Sequence, residues 1–153
     1  TALERVGVPS AWQAPTHNYD PELLRAAWSH KSAAVIAGMG AIGLHQMLIT
    51  PLGCAGRVSS VVVGADLGCS PHPSAPHDRR AEFCGFYSGK GCSVCLQRCP
   101  AHAIKEGGLD KKACKERLKV VGRYLTTERS IPGAPDICGK CCTGPCAFAP
   151  YSR

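Results

Sequence analysis

With 153 residues, 18 Lys and Arg against 11 Asp and Glu, and a formal charge of +7, the chain has room for one ordinary domain or two small ones. Eleven cysteines, an odd count, would leave one thiol over in a disulfide framework, and such frameworks belong mainly to shorter secreted chains. No basic, apolar and small-residue leader opens the chain, and the apolar stretch from Ala33 to Leu44 falls well short of the roughly 18 residues of a membrane span, so a soluble, cytoplasmic protein without a membrane partner is expected.

In chain order, Asp20-Pro-Glu-Leu-Leu-Arg-Ala-Ala-Trp28 reads as a short helix, with Asp20 as N-cap, proline at the first helical position and good helix formers after it. Ser32 to Gly38 reads as a buried strand or the start of an apolar helix, Leu44 to Ile49 as continuing helix, and Pro51-Leu-Gly53 as its stop. The β-branched run Val58 to Val63, closed by Gly64, reads as a strand, so residues 1–78 form an α/β layer. From Cys69 to Asp78 three prolines forbid a helix and make a linker. Cys54 and Cys69 precede this boundary and the other cysteines follow it, which defines a second, cysteine-rich domain over 79–153. There, Lys111 to Tyr124 has helical character.

Gly38-Met-Gly-Ala-Ile-Gly43 matches the dinucleotide fingerprint, and Asp66 follows at the distance of a ribose-binding acid. A crossover helix must then return the chain beside the first strand, but Pro51, Gly53 and Gly56 interrupt it. Glycines that let backbones pack closely are the better reading.

Cys92-Ser-Val-Cys95-Leu-Gln-Arg-Cys99-Pro100 is the most specific signal, being the latter part of the ferredoxin run Cys-x2-Cys-x2-Cys-x3-Cys-Pro. In such runs three thiolates wrap one cubane and the fourth serves another. Cys84 supplies the missing first ligand if the segment holding Gly85, Gly89 and Gly91 bulges outward. The remaining cysteines complete two crossed sets: Cys84, Cys92, Cys95 and Cys146 on one 4Fe-4S cluster, and Cys99, Cys114, Cys138 and Cys141 on a second. Cys142 competes with Cys141, since Cys142-x3-Cys146 also has ligand spacing. A zinc site from Cys92, Cys95, Cys138 and Cys141 is the alternative, but it leaves the other four cysteines without a role. Cys54 and Cys69 read as small buried apolar residues.

Together with Trp28-Ser-His-Lys31, Ile36 to Gly43, Leu48 to Arg57, Cys92 to Ile104 and Cys138 to Phe148, this motif resembles the C-terminal part of the epoxyqueuosine reductase and reductive dehalogenase superfamily. The likeness is strongest to the small iron-sulfur proteins related to those enzymes. It implies two 4Fe-4S clusters beside a corrinoid (cobalamin), and a nitroreductase-like partial α/β core in which Gly38, Gly40 and Gly43 help frame the corrinoid pocket. It further implies a ferredoxin-like two-cluster module, whose Cys84, Cys92, Cys95 and Cys146 cluster lies nearer the corrinoid. The chain departs from the family pattern in its stretched spacing at Cys84, in the proline before rather than after Cys146, and in the longer gap from Cys141 to Cys146.

His30 reads as a surface or packed histidine, and His102, just past Cys99-Pro100, as a possible tuning group for a cluster. Lys111, Lys112, Lys115, Arg117, Lys119 and Arg123 make a basic helix whose default is a solvated face and whose functional use is an acidic redox partner. Aromatic residues at 6% argue against a nucleic-acid partner. The expected function is electron transfer from a donor protein or reductase through two clusters. A corrinoid-dependent reductase and a zinc-stabilised binding module are the alternatives.

Overall fold

The computed structural model describes residues 2–12, 19–68, 78–131 and 138–151. It is a mixed α/β structure. The strands pair only as two-stranded antiparallel ribbons among the described residues. After a first turn of helix, α1 (Ala2–Arg5), strand β1 (Ser10–Trp12) pairs with a strand far along the chain.

The helix expected from Asp20 is not formed; β2 (Tyr19–Asp20) and β3 (Arg25–Ala26) make a hairpin there instead. The Asp20 carboxylate does accept from the Glu22 and Leu23 amides, both at 2.8 Å, as an N-cap would. Leu24 then takes a left-handed φ of 51°, which reverses the chain. Asp-Pro opens a turn with the same first hydrogen bonds that open a helix, and so short a segment gains too little from its own turns to propagate.

Helix α2 (His30–Ile36) resolves the open reading of Ser32 to Gly38 in favour of helix. Ser29 caps its start. Its end is a Schellman turn in which Gly38, at φ 72°, donates to Val35 O and Met39 donates to Ala34 O. Beyond it, β4 (Ala41–Ile42) and β5 (Leu48–Ile49) form an antiparallel hairpin, so the helix expected over Leu44 to Ile49 is replaced by a turn and a strand. Gln46 occupies the left-handed region at φ 62°, and Lys31 Nζ donates to its carbonyl at 2.6 Å, holding this turn to α2. The Gly-x-Gly-x-x-Gly segment thus leads into a tight hairpin rather than a crossover. A Cβ on Gly40 would meet the Ile49 and Thr50 backbone, which is the close approach those glycines permit.

β6 (Val61–Val63) is the expected valine strand and pairs with β1. Asp66 beyond it is exposed and accepts from Gly68 N at 2.9 Å, a local turn. The proline-rich linker reading falls on residues 69–77, which lie outside the described residues, as does Cys69 itself. Helices α3 (Arg80–Phe83) and α4 (Val94–Arg98) follow, then the hairpin of β7 (Ile104–Lys105) and β8 (Gly108–Leu109). The long helix α5 (Lys111–Thr127) starts where Asp110 caps Ala113 N at 2.9 Å and runs slightly past the expected Tyr124. Two short 3-10 turns, Lys140–Cys142 and Pro145–Ala147, close the described chain.

The core draws on both sides of the proline-rich stretch: Ala41, Leu44, Ile49 and Cys54 pack with Phe83, Cys84, Cys95 and Ile104. Leu44 and Ile49 are fully enclosed. Among the described residues no helix is long and apolar enough to cross a membrane.

Candidate metal centre

Helices α3, α4 and α5 and the two 3-10 turns carry most of the cysteines. Cys84 closes α3, and its amide donates to Arg80 O. The segment after it turns outward through Gly89 (φ 80°) and Gly91 (φ 65°), a conformation that costs glycine little. It returns so closely that a Cβ on Gly85 would lie 3.0 Å from Cys92 Cβ and 2.8 Å from Tyr151 O. Cys95 sits in the first turn of α4 and Cys99 at its C-cap, while Cys114 lies in the first turn of α5. Cys141 and Cys142 lie on the Lys140–Cys142 turn, which packs against α4.

The Cys146 segment is held by backbone. Cys54 N donates to both Cys146 O (3.0 Å) and Ala147 O (3.1 Å), Ala55 N donates to Ala147 O (3.0 Å), and Tyr151 N donates to Phe83 O (3.1 Å). Gly53, at φ +89°, makes this possible, since a Cβ there would strike the Ala147 carbonyl.

These constraints bring Cys84, Cys92, Cys95, Cys141 and Cys146 around one cavity, with His45 and Tyr151 also in its wall. Burial pushes the Cys95 thiol up to about 11, and the neighbouring charges of Cys84, Cys146 and Cys92 add to the shift. Burial likewise raises Cys114, with Cys99 and Cys138 as its charged neighbours. Cys141 is raised by its hydrogen bond with Cys142, then by burial and neighbouring charge, that of Cys114 included. Cys141 therefore adjoins both groups.

Cys142 is not in the cavity wall, although its Sγ lies 3.8 Å from Cys141 Sγ. It is lowered by hydrogen bonds from Cys141 and Cys54, against the opposing effect of burial, with lesser help from His45 and Lys31. Cys54, read from sequence as a bland buried residue, is buried in the core, yet its Sγ lies 3.7 Å from Cys146 Sγ and 3.8 Å from Cys142 O. Cys146 is lowered to about 5, chiefly by the Cys54 hydrogen bond, with burial opposing and His45 assisting.

His45 was not singled out in the sequence, where it interrupts an apolar run. It is buried, and its Nε2 lies 3.5 Å from Cys146 Sγ. The ligand atoms of His45, Cys54 and Cys146 fall within 4.8 Å of one another. His102, the expected tuning residue, is exposed, and the hydrogen bond to Cys99 Sγ comes instead from the Ala103 amide at 3.3 Å. His30 pairs with Ser60 Oγ at 2.9 Å. Gly40 and Gly43 lie against Ile49, with no open space at the position of a Cβ.

Five thiols around one cavity, two of which, Cys95 and Cys141, are raised by burial, hydrogen bonding or neighbouring charge, form a donor set whose ionised form a cation would favour, which is the chemistry of a thiolate metal centre. A stretch of 84 residues, 55% of this chain, is 38% identical to the epoxyqueuosine reductase of Synechococcus sp. (strain CC9605). The match spans 21% of that relative's own length. No protein-family model matches the chain, and no solved structure does.

Proposed function

We propose that this chain is an iron-sulfur electron-transfer protein or domain that carries two 4Fe-4S clusters and feeds single electrons to a reductase-type site. The observation that carries the reading is the gathering of Cys84, Cys92, Cys95 and Cys146 around one cavity. The adjoining group of Cys99, Cys114, Cys138 and Cys141 would hold the second cluster. Four thiolates held this close in a poorly solvated site repel one another, and an iron-sulfide core supplies the positive charge that offsets the repulsion. A zinc site from Cys92, Cys95, Cys138 and Cys141 fits less well, because Cys138 neighbours Cys114 while Cys95 neighbours Cys84, Cys92 and Cys146.

When bound, such clusters take up and release one electron at a time. The protein's part is to hold and insulate. Leu44, Ile49 and Phe83 pack in one core cluster with Cys84 and Cys95, which limits water there, and the Ala103 amide donates to the Cys99 sulfur, stabilising its negative charge. Lys111, Lys112, Lys119 and Arg123 are exposed along α5 and give an acidic redox donor or reductase a cationic surface. In this reading residues 79–153 form the ferredoxin-like portion and residues 1–78 the α/β portion that packs on it, in a cytoplasmic protein.

A corrinoid-dependent reductase is the second reading, favoured by the likeness to an epoxyqueuosine reductase. Gly40 and Gly43 abut Ile49, so this reading is supported by the likeness rather than by the glycine segment, and no corrinoid step is derived from these residues. Co-elution of anaerobically reconstituted protein with cobalamin, and a shifted cobalamin spectrum, would support that reading; separation of the two would remove it.

The two-cluster reading is tested by Cys95→Ala and Cys114→Ala. Each variant, reconstituted anaerobically, is expected to lose about half of the iron and sulfide and one of two EPR signals. Loss of neither signal from either variant would overturn the ligand sets.

A further inference from the structure

His45 is the buried polar residue of the core among the described residues, and the electron-transfer reading leaves it without a role. It stands on the turn of the β4–β5 hairpin, and both ring nitrogens are engaged. Met47 N donates to Nδ1 at 3.0 Å, so Nδ1 is an acceptor and bears no proton. In the neutral ring the proton is therefore on Nε2, which lies 3.5 Å from Cys146 Sγ. Gly43 gives the ring its place: a Cβ there would sit 3.0 Å from His45 Cε1. The turn itself is fixed from outside by Lys31, whose Nζ donates to Gln46 O at 2.6 Å.

A metal bond through Nε2 would move the proton to Nδ1, where it would face the Met47 N–H. The ring is thus arranged as a donor to sulfur rather than as a ligand. Cys54 is a less committed neighbour, because its single S–H proton is shared between Cys142 O and Cys146 Sγ.

We propose that His45 is a tuning residue: its Nε2–H donates to the Cys146 thiolate and raises the reduction potential of the cluster held by Cys84, Cys92, Cys95 and Cys146. The inference rests on the two-cluster reading of the preceding section. A donor to a cluster thiolate withdraws negative charge, which stabilises the reduced, more negative state more than the oxidised one. Burial strengthens the effect because water does not compete for the sulfur. The third glycine of the Gly-x-Gly-x-x-Gly segment then has a purpose, in seating this ring.

The test is an EPR-monitored redox titration of the reconstituted full chain, comparing wild type with His45→Leu and His45→Gln. The cluster concerned is identified as the one missing from Cys95→Ala. With iron and sulfide content unchanged, His45→Leu is expected to lower the potential of that cluster and leave the other in place, and His45→Gln, which keeps an N–H donor, to recover part of the shift. A purely structural role would move neither potential or both. Unmoved potentials in a fully loaded His45→Leu protein would overturn the proposal. Should His45→Leu fail to take up clusters, pulsed EPR of wild-type protein labelled with 15N-histidine decides. A weak nitrogen coupling to one reduced cluster is expected; no coupling, or the strong coupling of an iron–nitrogen bond, would overturn it. Wild-type protein that binds no iron and sulfide would instead defeat the two-cluster reading itself.

Discussion

Replacing Gly53 with alanine puts a methyl group where the structure has no room for one. At φ +89° the new Cβ would lie 2.5 Å from Phe148 N and closer still to the Ala147 carbonyl. All of these are backbone atoms that cannot rotate aside. The left-handed conformation alone costs a non-glycine residue about 1–2 kcal/mol, and forcing extra volume into a packed contact adds roughly 1–3 kcal/mol. Together these give about 2–5 kcal/mol, a large share of the 5–15 kcal/mol that holds an ordinary domain together. The chain can escape only by letting the loop at Thr50–Gly53 separate from the Cys146 segment. That breaks the Cys54 and Ala55 hydrogen bonds and carries Cys146 away from Cys84, Cys92 and Cys95. Gly53→Ala is therefore expected to lower both the urea midpoint and the iron content of anaerobically reconstituted protein. Gly56→Ala is the control, since nothing lies within 4 Å of its Cβ position. Equal midpoints and equal iron in the two variants would refute the claim that this glycine seats Cys146.

Two further outcomes follow from local geometry. Asp110→Ala removes the side-chain acceptor for Ala113 N and should cost about 0.5–2 kcal/mol of stability, read as a lowered urea midpoint that Asp110→Asn largely restores. Because Cys141 lines the cavity while Cys142 bonds toward Cys54, Cys141→Ser should lose one EPR signal and Cys142→Ser should keep both. The reverse pattern would exchange their roles.

Helix α5 was legible because its start is a local matter: Asp110 caps the first turn, and a long run of helix formers follows. The proximity of Cys92 and Cys95 was legible for a similar reason, since their spacing fixes their separation across the start of α4. Residues 20–28 and 44–49 were misread where local chemistry serves two structures. Asp20 makes the same hydrogen bonds in a turn as in a helix cap, and Leu44 to Ile49 is apolar enough for a buried helix or a hairpin strand. There the pairing of Ala41 with Ile49 and of Ile42 with Leu48 decided. His45 and Cys54 could not be ranked from spacing at all. Their approach to Cys146 depends on the hairpin turn and on the backbone contact at Gly53, which join parts of the chain remote in sequence.

The most direct measurement of the central claim is iron, acid-labile sulfide and zinc per chain in protein purified and reconstituted without oxygen. Two 4Fe-4S clusters predict about eight iron and eight sulfide with no zinc. Stoichiometric zinc without sulfide would contradict the account.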